Sequence, residues 1–153
     1  FDDEQFFEDI FLKFGKFDLL ISSSSLQWSD DFDAFVRKAS LVSDKFAFAI
    51  FTLGTFASVR NFLGVSSFLP SVDNVQKALN GCNLDFFEVE KTSRRFDTPK
   101  EAMRFIKTTG VSGGQNAVAY QEAKKLYASG PSVLEFEVVY AVGSFKNSDF
   151  STS

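Results

Sequence analysis

FDLLISSSSLQW, residues 17–28, is the stretch on which the reading of the fold turns. Residues 17–22 form an apolar run without polar alternation, the pattern of a strand buried in a parallel sheet. Four serines follow, then Leu26, Gln27 and Trp28. In open α/β sheets ligands bind beyond the carboxyl ends of strands. Small side chains at Ser22, Ser23, Ser24 and Ser25 let backbone approach a ligand, and Gln27 offers an amide. The same residues also suit an ordinary serine-rich turn anchored by Trp28.

Working outward, residues 4–14 place Phe6, Phe7, Ile10, Phe11 and Phe14 on one helical face, with Asp2 or Asp3 as N-cap and Gly15 as stop. Asp30 or Asp31 opens a second helix with apolar residues at 32, 35, 36, 39 and 42. A second apolar run spans 45–53 and Gly54 breaks it. Residues 55–69 are ambiguous. A short helix is expected over 71–80, with Ser71 as N-cap and Gly81 at C′. Residues 84–92 read as a strand. Thr98, Pro99 and Glu101 start a helix over 98–110. A further helix spans 116–129, a last strand 132–145, and the polar tail from 146 to 153 is expected to be flexible.

Alternating helix and apolar strand predicts an α/β domain, 1–153, with parallel strands, an antiparallel pair at one edge and helices on both faces. The core should rest on phenylalanine, which occurs 21 times beside one Trp and three Tyr.

The absence of His excludes Ser-His-Asp and Cys-His nucleophile systems, His-ligated metal sites and a histidine base. A single Cys, Cys82, permits no internal disulfide and fits a reducing cytoplasm. It reads as a structural thiol. No membrane span or targeting segment is apparent. The net charge of −4 is unevenly spread. Residues 91–107 carry six bases against two acids, with Lys100, Arg104 and Lys107 sharing a helical face opposite Ala102, Met103 and Ile106. This is either a solvated face or, with Arg94 and Arg95, a surface for an acidic partner. General nucleic-acid binding is a poor match to the acidic whole. Residues 51–55, FTLGT, end the neighbouring strand and either wall the same site or simply turn the chain. Ser112-Gly113-Gly114 lacks phosphate-loop spacing and reads as a connection.

Residues 17–28 resemble the fourth strand and following loop of Rossmann-like S-adenosylmethionine-dependent methyltransferases, especially the malonyl-[acyl-carrier protein] O-methyltransferases of biotin synthesis. The resemblance continues through Phe51-Thr52, Gly54-Thr55-Phe56, Phe68-Leu69-Pro70, Phe96-Asp97, Ala102-Met103-Arg104, Lys107 to Val111, and Leu134 to Val142. It covers nearly all of residues 15–145.

Two departures stand out. Ser23 occupies the place of the family's usual Asn, and the glycine-rich cofactor loop and the ribose-binding acid have no counterpart. The resemblance makes the chain read as the C-terminal portion of such an enzyme, with a separate N-terminal fragment or a homo-oligomer as the alternatives for a further partner.

The resemblance implies S-adenosyl-L-methionine as cofactor, with Ser22, Ser23, Ser24 and Asp2 on the cofactor side and Gln27 and Trp28 at the reacting groups. It implies Arg94, Arg95, Arg104 and Lys107 for a malonyl acyl carrier protein. Methylation of a carboxylate, already ionised near neutral pH, needs no histidine. A different small-molecule acceptor, or a non-catalytic relative serving as a partner subunit, are the alternatives.

Overall fold

The computed structural model describes residues 4–29, 31–109 and 120–146. The expected caps at Asp2 and Asp3, the Gly110 stop, the Ser112-Gly113-Gly114 connection, the helix start at 116–119 and the tail at 147–153 lie outside the described residues. Asp2, expected on the cofactor side, lies outside them too.

The chain runs α1 (Glu4–Phe14), β1 (Leu20–Ser23), a 3-10 turn (Leu26–Trp28), α2 (Phe32–Val42), β2 (Lys45–Phe51), α3 (Ala57–Leu63), α4 (Val72–Ala78), β3 (Cys82–Arg95), α5 (Pro99–Thr109), α6 (Tyr120–Ser129) and β4 (Val133–Phe145). The four strands form one sheet in the order β1-β2-β4-β3. β1 and β2 are parallel, with Leu20 opposite Phe46 and Ser23 opposite Ala49. β4 runs antiparallel to β2, from Lys45 opposite Ser144 to Phe51 opposite Val138. The mixed α/β architecture and the adjacency of the last two strands are those expected.

The chain divides into two compact units. The first takes residues 1–52, 69–90 and 138–153. Its core joins Phe7 of α1, Phe35, Val36, Ala39 and Val42 of α2, and Val75 and Leu79 of the α4 region to Phe46, Phe48 and Ile50 of β2. Phenylalanine dominates as expected: Phe7 meets Phe35 edge-on at 5.9 Å, and Phe46 stacks on Phe48 at 4.7 Å. Such pairs are worth about 0.5–1.5 kcal/mol each beyond the area they bury. Local signals set the helix ends. Asp31 accepts the Ala34 amide at 2.8 Å, Ser71 Oγ accepts the Asn74 amide at 3.1 Å, and Gly15 takes the left-handed conformation at φ 72° after α1.

Three local expectations are corrected. β1 is shorter than residues 17–22, because the chain bends at Asp18 and Phe17 makes only an isolated bridge to Ser43. It is also not buried throughout: Ile21 is 69% exposed. The α4 region ends at a Leu79 C-cap rather than on a left-handed Gly81, since the Leu79 amide already closes onto Val75.

The second unit takes residues 53–68 and 91–137. The ambiguous stretch 55–69 contains α3, whose Val59 packs with Phe56, Ala102, Met103, Leu126 and Leu134. Ala102 and Met103 are buried as the helical face of α5 requires. Thr98 Oγ1 caps α5 by accepting the Glu101 amide at 3.2 Å. β3 continues past residue 92 to Arg95, after which the Phe96 amide donates to the Ser132 carbonyl at 2.8 Å. Backbone pairing carries a strand through residues as polar as these, where side-chain alternation alone gives no signal.

Candidate functional site

The loop after β1 is held by its own polar groups. Ser24 sits at φ 58°, a left-handed conformation that costs a residue with a Cβ about 1–2 kcal/mol. Its amide donates to the Ala49 carbonyl at 2.9 Å, which ties the loop to the end of β2. Its carbonyl accepts from Gln27 Nε2 at 2.7 Å. The hydroxyls of Ser22 and Ser25 lie 2.7 Å apart and satisfy one another. Leu26, buried in the core of the first unit, pins the turn from beneath.

Gln27 is the chemically informative member. It is 3% exposed, and its Oε1 has no hydrogen-bond partner among the described residues. Leaving a buried acceptor unsatisfied costs about 1–3 kcal/mol. The serine at the other end of its amide fixes which way that oxygen points, because only Nε2 can donate to a carbonyl. The arrangement is suited to receive an N–H or O–H donor from a bound molecule. Ser22, Ser24 and Gln27 are thus brought together. Ser23 is exposed at the end of β1, and Trp28 closes the 3-10 turn, its side chain lying outside the described residues.

In the second unit the turn after β2 is organised by two glutamates that the sequence reading did not single out. Glu137 Oε1 accepts the Gly54 amide at 2.9 Å, while its Oε2 lies 3.0 Å from Lys91 Nζ. Thr55 Oγ1 donates to the Glu137 carbonyl and accepts the Glu137 amide, both at 3.0 Å. Glu135 Oε2 accepts from Ser58 Oγ at 2.9 Å and from its amide at 3.2 Å. The Arg60 guanidinium donates to the carbonyls of Leu53 and Thr55. Burial lowers the Arg60 pKa, and Glu135 and Glu137 oppose that shift. A glutamate inside an apolar strand was the one available signal, and alternation alone does not mark Glu137 as the buried one. Gly54 is needed for close approach: a Cβ there would lie 2.6 Å from Glu137 Cδ.

The four basic candidates, Arg94, Arg95, Arg104 and Lys107, belong to the second unit. Arg94 lies over two rings, 5.1 Å from the centre of Phe96 and 4.7 Å from that of Phe105. Arg95, Arg104 and Lys107 are exposed, the last two on α5. Cys82 is half-buried and its thiol is pushed up by burial, with Lys146 pulling the other way. That is the environment of an inert thiol. Among the described residues no group of His, Cys, Asp and Glu could hold a metal ion, and no helix is long and apolar enough to cross a membrane.

No family model matches the chain. It is 28% identical over 104 residues to a malonyl-[acyl-carrier protein] O-methyltransferase of Chlorobium phaeovibrioides, a match covering 65% of this chain. The chain spans only 40% of that relative's length. Among solved structures it is similar to Haemonchus contortus phosphoethanolamine N-methyltransferase 2, in complex with phosphomonomethylethanolamine and S-adenosylhomocysteine. The TM-score is 0.43 at 15% identity, over 84% of this chain and 33% of that one. It is also similar to the MccD protein, with a TM-score of 0.36 at 6% identity, over 80% of this chain and 59% of that one.

Proposed function

We propose that this chain is part of an S-adenosylmethionine-dependent methyltransferase that O-methylates the free carboxylate of a malonyl thioester on acyl carrier protein, the reaction named by its Chlorobium relative. The observation that carries the reading is the buried Gln27 Oε1, without a hydrogen-bond partner among the described residues, beside the carboxyl end of a parallel strand. The likeness to the carrier-protein methyltransferase supplies the reaction class.

The residues present fit one edge of the cofactor. Gln27 Oε1 accepts a donor from the ligand, and the Ser22–Ser25 backbone, braced by Ala49, sets the position of that carbonyl. Trp28 stays with Gln27 on the side of the reacting groups. When bound, S-adenosylmethionine supplies an electrophilic methyl on a sulfonium. The acceptor carboxylate is ionised near neutral pH, so a chain without histidine still meets the needs of the reaction. What remains for the protein is alignment and exclusion of water. Arg94, Arg95, Arg104 and Lys107 attract the acidic carrier protein, with their main effect on encounter rate and selectivity.

The test is transfer of labelled methyl from S-adenosylmethionine, comparing malonyl acyl carrier protein with free dicarboxylic acids, alongside calorimetry of the cofactor with the chain. Base-labile methyl ester on the carrier protein is the expected product. Methylation of the free acids alone removes the carrier-protein assignment. The absence of both transfer and cofactor binding removes the reading altogether.

A further inference from the structure

The first unit carries a small pocket at the end of its sheet opposite the serine loop. Asp33, Val36 and Arg37 line it from one stripe of α2, at three- and four-residue spacing. Ala78, Gly81 and Cys82 line it from the turn between α4 and β3, and Phe145 and Lys146 from the end of β4. The space they enclose is about 190 Å³. An engineered apolar cavity of about 150 Å³ takes up benzene, so a body of that size has room here. β2 separates this pocket from the candidate cofactor site. Its first residue, Lys45, is opposite Ser144, and the Phe145 amide donates to the Asp44 carbonyl at 3.0 Å. The serine loop is tied instead to Ala49, about 13 Å further along the strand.

The lining sorts into an apolar floor and a charged rim. Val36 and Phe145 are buried, and Ala78 and Cys82 are half-buried. Arg37 and Lys146 are exposed, and among the described residues neither has a carboxylate within ion-pairing distance. Asp33, one turn from Arg37 on α2, is not paired with it. The field of Lys146 reaches the Cys82 thiol, where it opposes the effect of burial. Two cations beside one acid leave a surplus of one positive charge around the pocket. A bare inorganic ion would lose hydration against the apolar floor, whereas an apolar body fills it. Gly81 leaves further space, since a Cβ there would meet nothing within 4 Å.

We infer that this pocket binds a small monocarboxylate with a compact apolar body, the carboxylate held by Arg37 and Lys146 and the body resting on Val36, Ala78, Cys82 and Phe145. A guanidinium offers a carboxylate two parallel N–H donors, and an ammonium adds a point charge. A dianion such as a phosphate monoester fits less well, because Asp33 opposes its second charge. The bound acid bridges α2, the turn before β3 and the end of β4, and so stabilises the folded chain by mass action. None of these residues belongs to the serine loop, to Gln27 or to the basic segment 91–107, so the site is independent of the methyltransferase reading.

The probe is benzoate, titrated into the 153-residue chain by calorimetry, with maleimide labelling of Cys82 followed in parallel. Saturable 1:1 binding with a Kd of about 1 mM or tighter is expected. At about ten times Kd the labelling of Cys82 should slow about tenfold, because protection follows 1 + [L]/Kd. Arg37→Gln and Lys146→Gln should each weaken binding about tenfold, and benzyl alcohol, the same body without the charge, should bind about tenfold or more weakly. Inorganic phosphate at equal concentration should not displace benzoate. Gly81→Leu fills the pocket from a position with free space around its Cβ, and should abolish binding with the urea midpoint of the unliganded chain unchanged. That variant decides the matter where a charge variant disturbs folding. No saturable binding, binding that survives Gly81→Leu, equal affinity for benzyl alcohol or displacement by phosphate overturns the inference. Binding that leaves Cys82 labelling unchanged places benzoate elsewhere and overturns it as well. None of these readouts needs methyl transfer, so failure here and failure of the enzymatic reading are distinguishable.

Discussion

Glu137 Oε1 accepts the Gly54 amide across 83 residues of sequence, at 2.9 Å, and the glutamate side chain fills the space a Cβ on Gly54 would need. The turn after β2 is thereby built around one buried carboxylate, and its backbone course depends on the last strand being in register.

Glu137→Ala removes the acceptor of the Gly54 amide, and a loss of about 1–3 kcal/mol in urea unfolding is expected. Lys91→Ala should cost less than about 1 kcal/mol, because the lysine side chain is 73% exposed and its ion pair is screened. Gly54→Ala should be costly in the parent and less costly in the Glu137→Ala background, since the truncation removes Cδ and Oε1 and leaves the Cβ of residue 137, 2.8 Å from the new methyl, as the one remaining close contact. Additive losses in this double-mutant cycle would show that the two residues are not coupled.

Gln27→Leu tests whether the orphan carbonyl is kept for a ligand. The substitution loses the bond from Nε2 to the Ser24 carbonyl but also removes a buried acceptor that has no partner among the described residues. These opposing terms should leave stability within about 1 kcal/mol of the parent. Under the proposed function, cofactor affinity should fall about tenfold or more. A large loss of stability with affinity intact would mark Gln27 as a structural residue only.

The parts of this fold legible in the sequence are those that local chemistry controls. The Asp31, Ser71 and Thr98 caps, the Gly15 stop and the Phe-rich core were readable because each is settled within a few residues or by apolar spacing. The exposure of Ile21 was not, because FDLLIS has the composition of a strand covered on both sides. The Glu135–Glu137 network was hidden for another reason. Its partners lie 77–83 residues away, and strand alternation alone does not say which glutamate is buried. At the candidate site, the serine loop and Gln27 could be named from their position after a strand. The orphaned oxygen follows only from the fold that buries it.

Cys82 and Tyr140 both hold their protons more tightly in the folded chain than in ordinary peptides, burial being the first cause for each. A raised folded pKa contributes stability that is fully present below the unfolded value and lost as pH rises through the folded one. The reference values are 9.0 for the thiol and 10.0 for the phenol, so the urea midpoint should decline above this alkaline range. Cys82→Ser should remove the earlier part of that decline and Tyr140→Phe the later part. Reaction of Cys82 with a disulfide reagent near pH 8 should be slower than that of a free thiol and recover in urea. A flat pH profile would contradict both assignments.

Arg104 and Lys107 stand exposed on α5, whereas Arg94 is engaged with the rings of Phe96 and Phe105. The three cations should therefore behave differently if an acidic carrier protein docks on this segment. Arg104→Glu with Lys107→Glu should slow carrier-protein association about tenfold or more and flatten its salt dependence, leaving stability nearly unchanged. Arg94→Ala should instead lower stability by about 0.5–1 kcal/mol through loss of the ring contacts. Association rates measured by stopped flow across a salt series separate the two effects. If charge reversal on α5 leaves both rate and salt slope untouched, the carrier protein does not use this helix, and the basic segment is a solvated surface.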